Sequence, residues 1–303
     1  MSKIAIIMPV YNGADYLEFS INSVLNQTYK DFQLICVNDN STDNSLEILK
    51  NFQAKDSRII VLTKDNAGPG VALNYGIKNS KSEYICFLDQ DDLYSNDYLE
   101  TMLFYVEKYQ LDICIANASF LDENGNINKI PYSAFDEDFI KINSKQKRKI
   151  YLSRVPQWTK IVSRTYLEKY KFLFPGKENK AHDIPFHIEL LFFTNNIGVL
   201  NKSLYYHRIH SKQISHNLNT ELYNYVSCKN LIEWSKKLGF IDSILFKHYL
   251  IKLINESFKK YKNRDLDNKI INLIKKNYNP IFSFFIIQKI KRKRKKYSKQ
   301  LLD

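Results

Sequence analysis

The sequence predicts an α/β fold: an open, mostly parallel sheet flanked by helices, with a helical appendage behind it. Short β-rich runs alternate with helical patterns over the first 120 residues, the order expected of strands joined by crossover helices. Several of those runs end in polar or acidic residues, as strands do where a sheet opens onto a binding crevice. Beyond Ser215 the pattern is helical throughout.

The apolar run Ile4–Met8 is the first strand, and Pro9 ends it. Tyr16, Leu17, Ile21, Val24 and Leu25 then share one helical face. Phe32–Val37 is the second strand, followed by Ser41, Thr42 and Asp43, which resemble helix caps, and by Leu46, Ile48, Leu49 and Phe52 at helical spacing. Ile59–Leu62, Tyr84–Leu88 and Ile113–Ala116 complete the first set of strands. Helical patterns lie between them, one over Val71–Lys78 and one through Leu99, Met102, Leu103 and Val106. Asp122-Glu123-Asn124-Gly125-Asn126 is a turn, because Asn-Gly accepts positive φ at little cost. Residues 140–170 are basic and mixed and yield no element. Ala181 to Asn195 is helical again, and Ile197 to His207 is a closing strand. Three further helices are expected over Tyr223–Leu238, Ile241–Tyr261 and Leu266–Tyr278. The expected organisation is a catalytic domain over 1–215, an appendage over 216–280 and a tail over 281–303.

With 303 residues, 44% hydrophobic and 25% charged, the chain can bury a large core. The opening apolar run is too short for a secretory leader, and no stretch reaches the roughly 20 apolar residues of a spanning helix. A cytoplasmic chain is therefore expected. Cys36, Cys86, Cys114 and Cys228 lack metal-ligand spacing, and the first three sit inside apolar runs as small core residues. The net charge of +13 is unevenly spread. Residues 1–130 hold 10 Lys/Arg against 18 Asp/Glu, whereas residues 131–303 hold 35 against 14. An acidic front half argues against nucleic acid and for a basic surface anchor.

The chemistry gathers at strand ends: Pro9-Val10-Tyr11-Asn12, then Asn38-Asp39-Asn40-Ser41-Thr42-Asp43, then Asp89-Gln90-Asp91-Asp92. Clustered carboxylates repel one another unless a cation sits among them. Hard oxygen ligands suit Mg²⁺ or Mn²⁺, ions that commonly bridge carboxylates to phosphates.

Four segments, IAIIMPVYNGADYLEFSINSVLNQTY, FQLICVNDNSTDNS, NAGPGVALNYGI and EYICFLDQDD, resemble glycosyltransferase family 2 in order and spacing. The resemblance is strong over residues 3–120 and thinner to about 216. It implies the GT-A fold and transfer of a sugar from a UDP-sugar with inversion. It also implies that Pro9, Val10 and Tyr11 wall the nucleotide pocket and that Asp39 accepts the imide N–H of uracil. Asn66 and Gly68 would line the base and ribose. Asp89 and Gln90 would lie on the nucleotide-sugar side, Asp91 would bind the metal as in the family's DxD motif, and Asp89 would help hold it. Thr42 and Asp43 are read as caps rather than ligands, and Asp92 as a cap for a helix starting near Ser95.

The chain departs from the family in two places. Asn38 replaces an acidic residue before Asp39, and Leu73 stands where many members carry an Arg facing the diphosphate. The resemblance makes Asp183 the base that deprotonates the acceptor, with His182 replacing the usual Glu and Glu178 as fallback. Pro185 in the first turn gives Asp183 a second reading as an N-cap. Tyr206-His207-Arg208-Ile209-His210-Ser211 resembles the closing motif, in which Arg208 and His210 would meet the diphosphate and make good the charge missing at Leu73. Zinc is not expected, because no His pair has a zinc-type partner set. Gly68-Pro69-Gly70 is not a dinucleotide fingerprint, since the third glycine would fall at Leu73.

IFSFFII (281–287) followed by eight Lys/Arg between Lys289 and Lys299 fits an anionic membrane surface. A glycan or lipid-linked glycan acceptor at the inner face of the cell membrane is the corresponding expectation. The competing classes are a sugar-nucleotide pyrophosphorylase, which would need a Gly-rich basic loop after the first strand, and a nonenzymatic nucleotide-sugar-binding scaffold.

Overall fold

Ile4–Val10 (β1) lies inside the sheet, so it is apolar on both faces, and Ile4, Ala5, Ile6, Ile7 and Met8 are fully buried. The computed structural model describes residues 1–122, 125–130, 137–143, 146, 157–176, 183–211, 229, 232–233, 236, 264–278, 280, 283–284 and 287–288. On one side β1 pairs in parallel with Phe32–Asn38 (β2), Ile4 opposite Phe32, and β2 pairs with Ile59–Thr63 (β3). On the other it pairs in parallel with Tyr84–Phe87 (β4), Ile7 opposite Phe87. Ala14–Leu25 (α1), Ser45–Lys55 (α2) and Pro69–Lys78 (α3) are the crossovers. Parallel pairing brings the carboxyl ends of β1, β2 and β4 to one edge.

The sheet then continues in a way the sequence pattern does not reveal. Lys160–Ser163 (β9) wedges antiparallel between β4 and Ile113–Leu121 (β6). Beyond β6 lies Ile197–Arg208 (β10), parallel to it, and then the two-residue strand Leu93–Tyr94 (β5). The strand order is β3-β2-β1-β4-β9-β6-β10-β5, with Ile127–Ile130 (β7) on β6 and Phe139–Lys141 (β8) on β10. The unread stretch 140–170 thus holds β9, four residues whose Lys160 breaks the apolar run, and the short helix Arg164–Tyr170 (α5).

The helix expected near Ser95 starts instead at Tyr98 (Tyr98–Lys108, α4), with Asp97 at its N-cap, because Leu93–Tyr94 is extended against β10. Asp183–Phe193 (α6) precedes β10. Gly125 takes φ +83° in the β6–β7 turn, and its N–H bonds the Asp122 carbonyl. Cys36, Cys86 and Cys114 are buried free thiols, pushed up by burial.

Two compact units are present. The first comprises Met1–Glu178 and Phe186–Ser211 and holds the sheet. The second comprises Asn179–Pro185 and Lys212–Asp303. In it Arg264–Asn277 (α7) is amphipathic and buries Ile270 and Ile274. The helices expected over 223–261 lie almost wholly outside the described residues, as does Cys228. No helix among the described residues is long and apolar enough to cross a membrane.

Candidate active site

Val10 closes β1, and its carbonyl accepts the Asp39 N–H at 2.8 Å, tying the first two strand ends together. The chain turns at Asn12, with φ +50°, a conformation that Asn tolerates. Gln90 locks the turn from the β4 side. Its Oε1 accepts the Tyr11 N–H at 2.8 Å, and its Nε2 donates to the Tyr11 carbonyl at 3.1 Å. Gly13 allows this approach, since a Cβ there would fall 2.4 Å from Gln90 Oε1. Tyr11 is left 42% exposed on the edge.

Asp43 accepts the N–H groups of Ala14 (3.1 Å) and Ser45 (3.0 Å), so one carboxylate serves the first turns of α1 and α2. Thr42 does not cap; its N–H and hydroxyl both reach Asn12 Oδ1. Asp39 is only 3% exposed. Its Oδ1 accepts from Lys64 Nζ at 2.5 Å and from the Ala67 N–H at 3.0 Å, and its Oδ2 accepts from the Gly68 N–H at 2.7 Å. Gly68 holds φ +87° to bring that N–H round at the start of α3.

The three carboxylates after β4 divide their labour. Asp92 is fully buried and pins β10: it accepts the Tyr205 hydroxyl at 2.7 Å and the Arg208 N–H at 2.9 Å, and lies 3.2 Å from His207 Nδ1. It is therefore not a helix cap. Burial works against a charged His207, but the bond to Asp92 outweighs it and holds the imidazole above its usual range. Asp91 is half-buried, and His210 Nε2 meets its Oδ2 at 2.9 Å. Burial raises Asp91 above the usual carboxylate range, the neighbouring Asp92 adds to the rise, and His210 opposes it. Asp89 is half-buried beside them, with its N–H on the Tyr205 hydroxyl. Arg208 donates from Nε to the Asp91 carbonyl at 3.0 Å, and its guanidinium lies over Tyr16 and Phe19.

This edge gathers the buried Asp39 carboxylate, an acidic cluster, an arginine and a histidine at the carboxyl ends of the sheet's parallel strands. The sequence profile described as "Glycosyl transferase family 2" matches residues 5–171. An uncharacterized glycosyltransferase of Haemophilus influenzae is 32% identical over 270 residues, covering 86% of this chain and 99% of that protein. The poly(ribitol-phosphate) beta-glucosyltransferase of Bacillus spizizenii is 32% identical, covering 68% of this chain and 32% of that protein. The chain thus spans nearly the whole of the first relative and about a third of the second. The chain belongs to glycosyltransferase family 2.

Its fold is that of GT-A structures. A Staphylococcus aureus TarS fragment, residues 1–349, solved in complex with UDP-GlcNAc, superposes with a TM-score of 0.75 at 20% identity, covering 97% of this chain and 89% of that one.

Within this family 2 glycosyltransferase, Pro9, Val10, Tyr11, Asp39, Gly68, Asp89, Gln90, Asp91, Arg208 and His210 all sit at or beside the carboxyl edge in the first unit. Asn66 lies between Lys64 and Ala67 in the same loop, half-buried. Leu73 is buried in α3, so that position presents no charge to the crevice. Asp183 is the first residue of α6, in the second unit. His182 and Glu178 lie outside the described residues. Among the described residues, no three His, Cys, Asp or Glu side chains converge as a ready metal cage. Sequence reasoning missed Lys64 and Tyr205. Lys64 carried no motif signal, and Tyr205 resembled any strand aromatic.

Proposed function

We propose that the chain transfers a hexose from a UDP-sugar to an acceptor hydroxyl with inversion, assisted by Mn²⁺ or Mg²⁺, in cell-surface polysaccharide assembly. The observation that carries this is Asp91, a half-buried carboxylate next to the fully buried Asp92, at the carboxyl ends of the sheet's parallel strands. Burial and Asp92 hold it above the usual range, although His210 and a backbone hydrogen bond oppose the rise. Such a group gains from a cation, and an ion that takes its other ligands from diphosphate oxygens and water needs no protein cage. Asp91, with Asp89, would hold it; when bound, it supplies charge stabilisation for the departing diphosphate. Asp39 orients the base, Gln90 keeps Tyr11 fixed as the pocket wall, and Arg208 adds positive charge beside Asp91. Asp183 is the proposed base for the acceptor hydroxyl. Support for a UDP-sugar comes from the UDP-GlcNAc complex of TarS. Support for inversion comes from the family resemblance and from the beta-linked product named for the Bacillus relative.

Turnover of UDP-glucose and UDP-GlcNAc, followed as UDP release with Mn²⁺, tests the reading. Asp183→Asn is expected to lower kcat by about 10²–10⁴-fold with donor affinity kept. Wild-type protein that binds UDP with metal yet turns over neither sugar nucleotide would be the nonenzymatic nucleotide-sugar-binding scaffold instead.

We also propose that 281–303 rests on an anionic membrane face. Phe284 is 60% exposed whereas Ser283 and Ile287 are buried, and the basic run from Lys289 lies outside the described residues. Each Lys or Arg near such a surface contributes roughly 1 kcal/mol. Removing 289–303 is expected to abolish co-sedimentation with phosphatidylserine vesicles, and equal binding by both forms would sink the idea.

A further inference from the structure

We propose that Lys64 and Asp39 act as one acceptor–donor pair reading the N–H/C=O edge of the donor's base, with Lys64 a specificity-determining residue; the assignment rests on the UDP-sugar reading above. Nothing in the motifs at strand ends points to Lys64. The structure does, through the way the two side chains share their hydrogen bonds.

A carboxylate offers about four acceptor directions. On Asp39, Oδ1 is filled by Lys64 Nζ and the Ala67 N–H, while Oδ2 takes the Gly68 N–H, which leaves one direction on Oδ2. An ammonium has three donors. Lys64 gives one to Asp39 and one to the Asp65 carbonyl, and the described hydrogen bonds use no third. One acceptor and one donor therefore remain, side by side and joined by a 2.5 Å ion pair.

Their place is as telling as their count. Asp39 follows β2, Lys64 follows β3, and the Lys64 N–H bonds the Asn38 carbonyl at 3.1 Å, so the pair straddles two neighbouring strand ends. That is the carboxyl edge on which open α/β sheets bind ligands, one strand from the β1/β4 junction where the strand order reverses. The side chains are 4% and 13% exposed, so only a narrow face of the pair meets solvent. A buried ion pair gains little over apolar packing, so its presence at a binding crevice calls for a role that apolar side chains cannot fill.

Uracil presents a ring N–H flanked by carbonyls. The N–H matches the open direction on Asp39 Oδ2, and a flanking carbonyl matches the third Lys64 donor. Cytosine in the same register turns a lone pair toward Asp39, and N3-methyluracil turns a methyl group toward it. A site built around a substrate N–H discriminates strongly against analogues that lack it, because its own groups are left unpaired.

Calorimetry with Mn²⁺ present, using UDP, CDP and N3-methyl-UDP on wild type, Lys64→Met and Lys64→Arg, tests this. Wild type is expected to prefer UDP over both analogues by at least about tenfold. Lys64→Met is expected to weaken UDP by about tenfold and CDP by clearly less, so that the UDP preference narrows to what Asp39 alone maintains, and Lys64→Arg to keep an intermediate preference. Equal weakening of UDP and CDP, or none, in folded Lys64→Met would make Lys64 a structural pin and overturn the assignment. If Lys64→Met does not fold, Lys64→Arg and the methylated probe decide. An unchanged preference in Lys64→Arg, or wild-type binding of N3-methyl-UDP as tight as that of UDP, overturns the pair. Absence of any UDP binding by wild type overturns the donor reading itself, an outcome distinct from UDP binding without base discrimination.

Discussion

Asp39 and Asp91 stand at the ends of β2 and β4, the two strands that flank β1, and their surroundings are opposite. Asp39 has its counter-charge built in: Lys64 sits 2.5 Å away, and two backbone N–H groups fill all but one of its remaining acceptor directions. Asp91 lies beside the fully buried Asp92, with His210 as its recorded side-chain partner, and burial lifts its carboxyl above the usual range. The first arrangement is finished within the protein and suits reading a neutral base. The second is unbalanced and suits a site completed by a cation arriving with a diphosphate. On the function proposed above, one sheet edge carries a preformed half and a half that its ligand completes.

The comparison breaks if the two carboxylates prove interchangeable. Asp91→Ala is expected to cost about 10³-fold in kcat with saturating UDP-sugar and Mn²⁺, the scale of removing transition-state charge stabilisation. Asp39→Ala is expected to act on donor affinity, with kcat within about tenfold of wild type. Steady-state kinetics of both variants separates these outcomes, and equal losses in kcat would remove the distinction.

His187 sharpens the same contrast from inside the core. It is buried on α6 with neither ring nitrogen hydrogen-bonded, and burial, helped by the nearby Lys160 charge, pushes it well below the usual imidazole range. Its folded form therefore stays neutral while the unfolded chain takes up a proton below about pH 6.5. Stability is kept above that pH and falls below it, by about 1.4 kcal/mol per pH unit from this one residue. Urea unfolding of wild type and His187→Leu at pH 7.5, 6.5 and 5.5 checks this. The variant is expected to lose less stability across that range, and parallel pH profiles would show that His187 does not titrate on unfolding.

What the sequence revealed and what it hid follow the same division. Strands apolar on both faces were legible, because Ile4–Val10 and Phe32–Asn38 need no pattern beyond an uninterrupted run. The acidic ends were legible because five carboxylates in two short segments are costly without a purpose. β9 was hidden because four residues beginning with Lys160 carry no period. Asp92 was misread because its partners, Tyr205, His207 and Arg208, lie more than a hundred residues away. Lys64 was invisible for the same reason: its meaning lies in a contact with Asp39 across two strand ends, which no local spacing encodes.

The smallest effect should come from the backbone that serves the preformed half. Gly68 holds φ +87°, and a Cβ there would meet nothing within 4 Å, so Gly68→Ala tests conformation without a clash. With ψ at +163° as well, Gly68 occupies a region essentially reserved for glycine, and the strain of an alanine there is of the order of 1–3 kcal/mol. Part of it is expected to appear as a shifted Gly68 N–H on Asp39, and so as a few-fold weaker UDP affinity in calorimetry. The Mn²⁺ dependence proposed for Asp91 should stay unchanged. Gly68→Asn should not recover the affinity, because asparagine tolerates positive φ in the αL region and not at ψ +163°. Loss of Mn²⁺ dependence in Gly68→Ala would mean that the two halves of the edge are coupled, and that the division between a finished and an unfinished site is wrong.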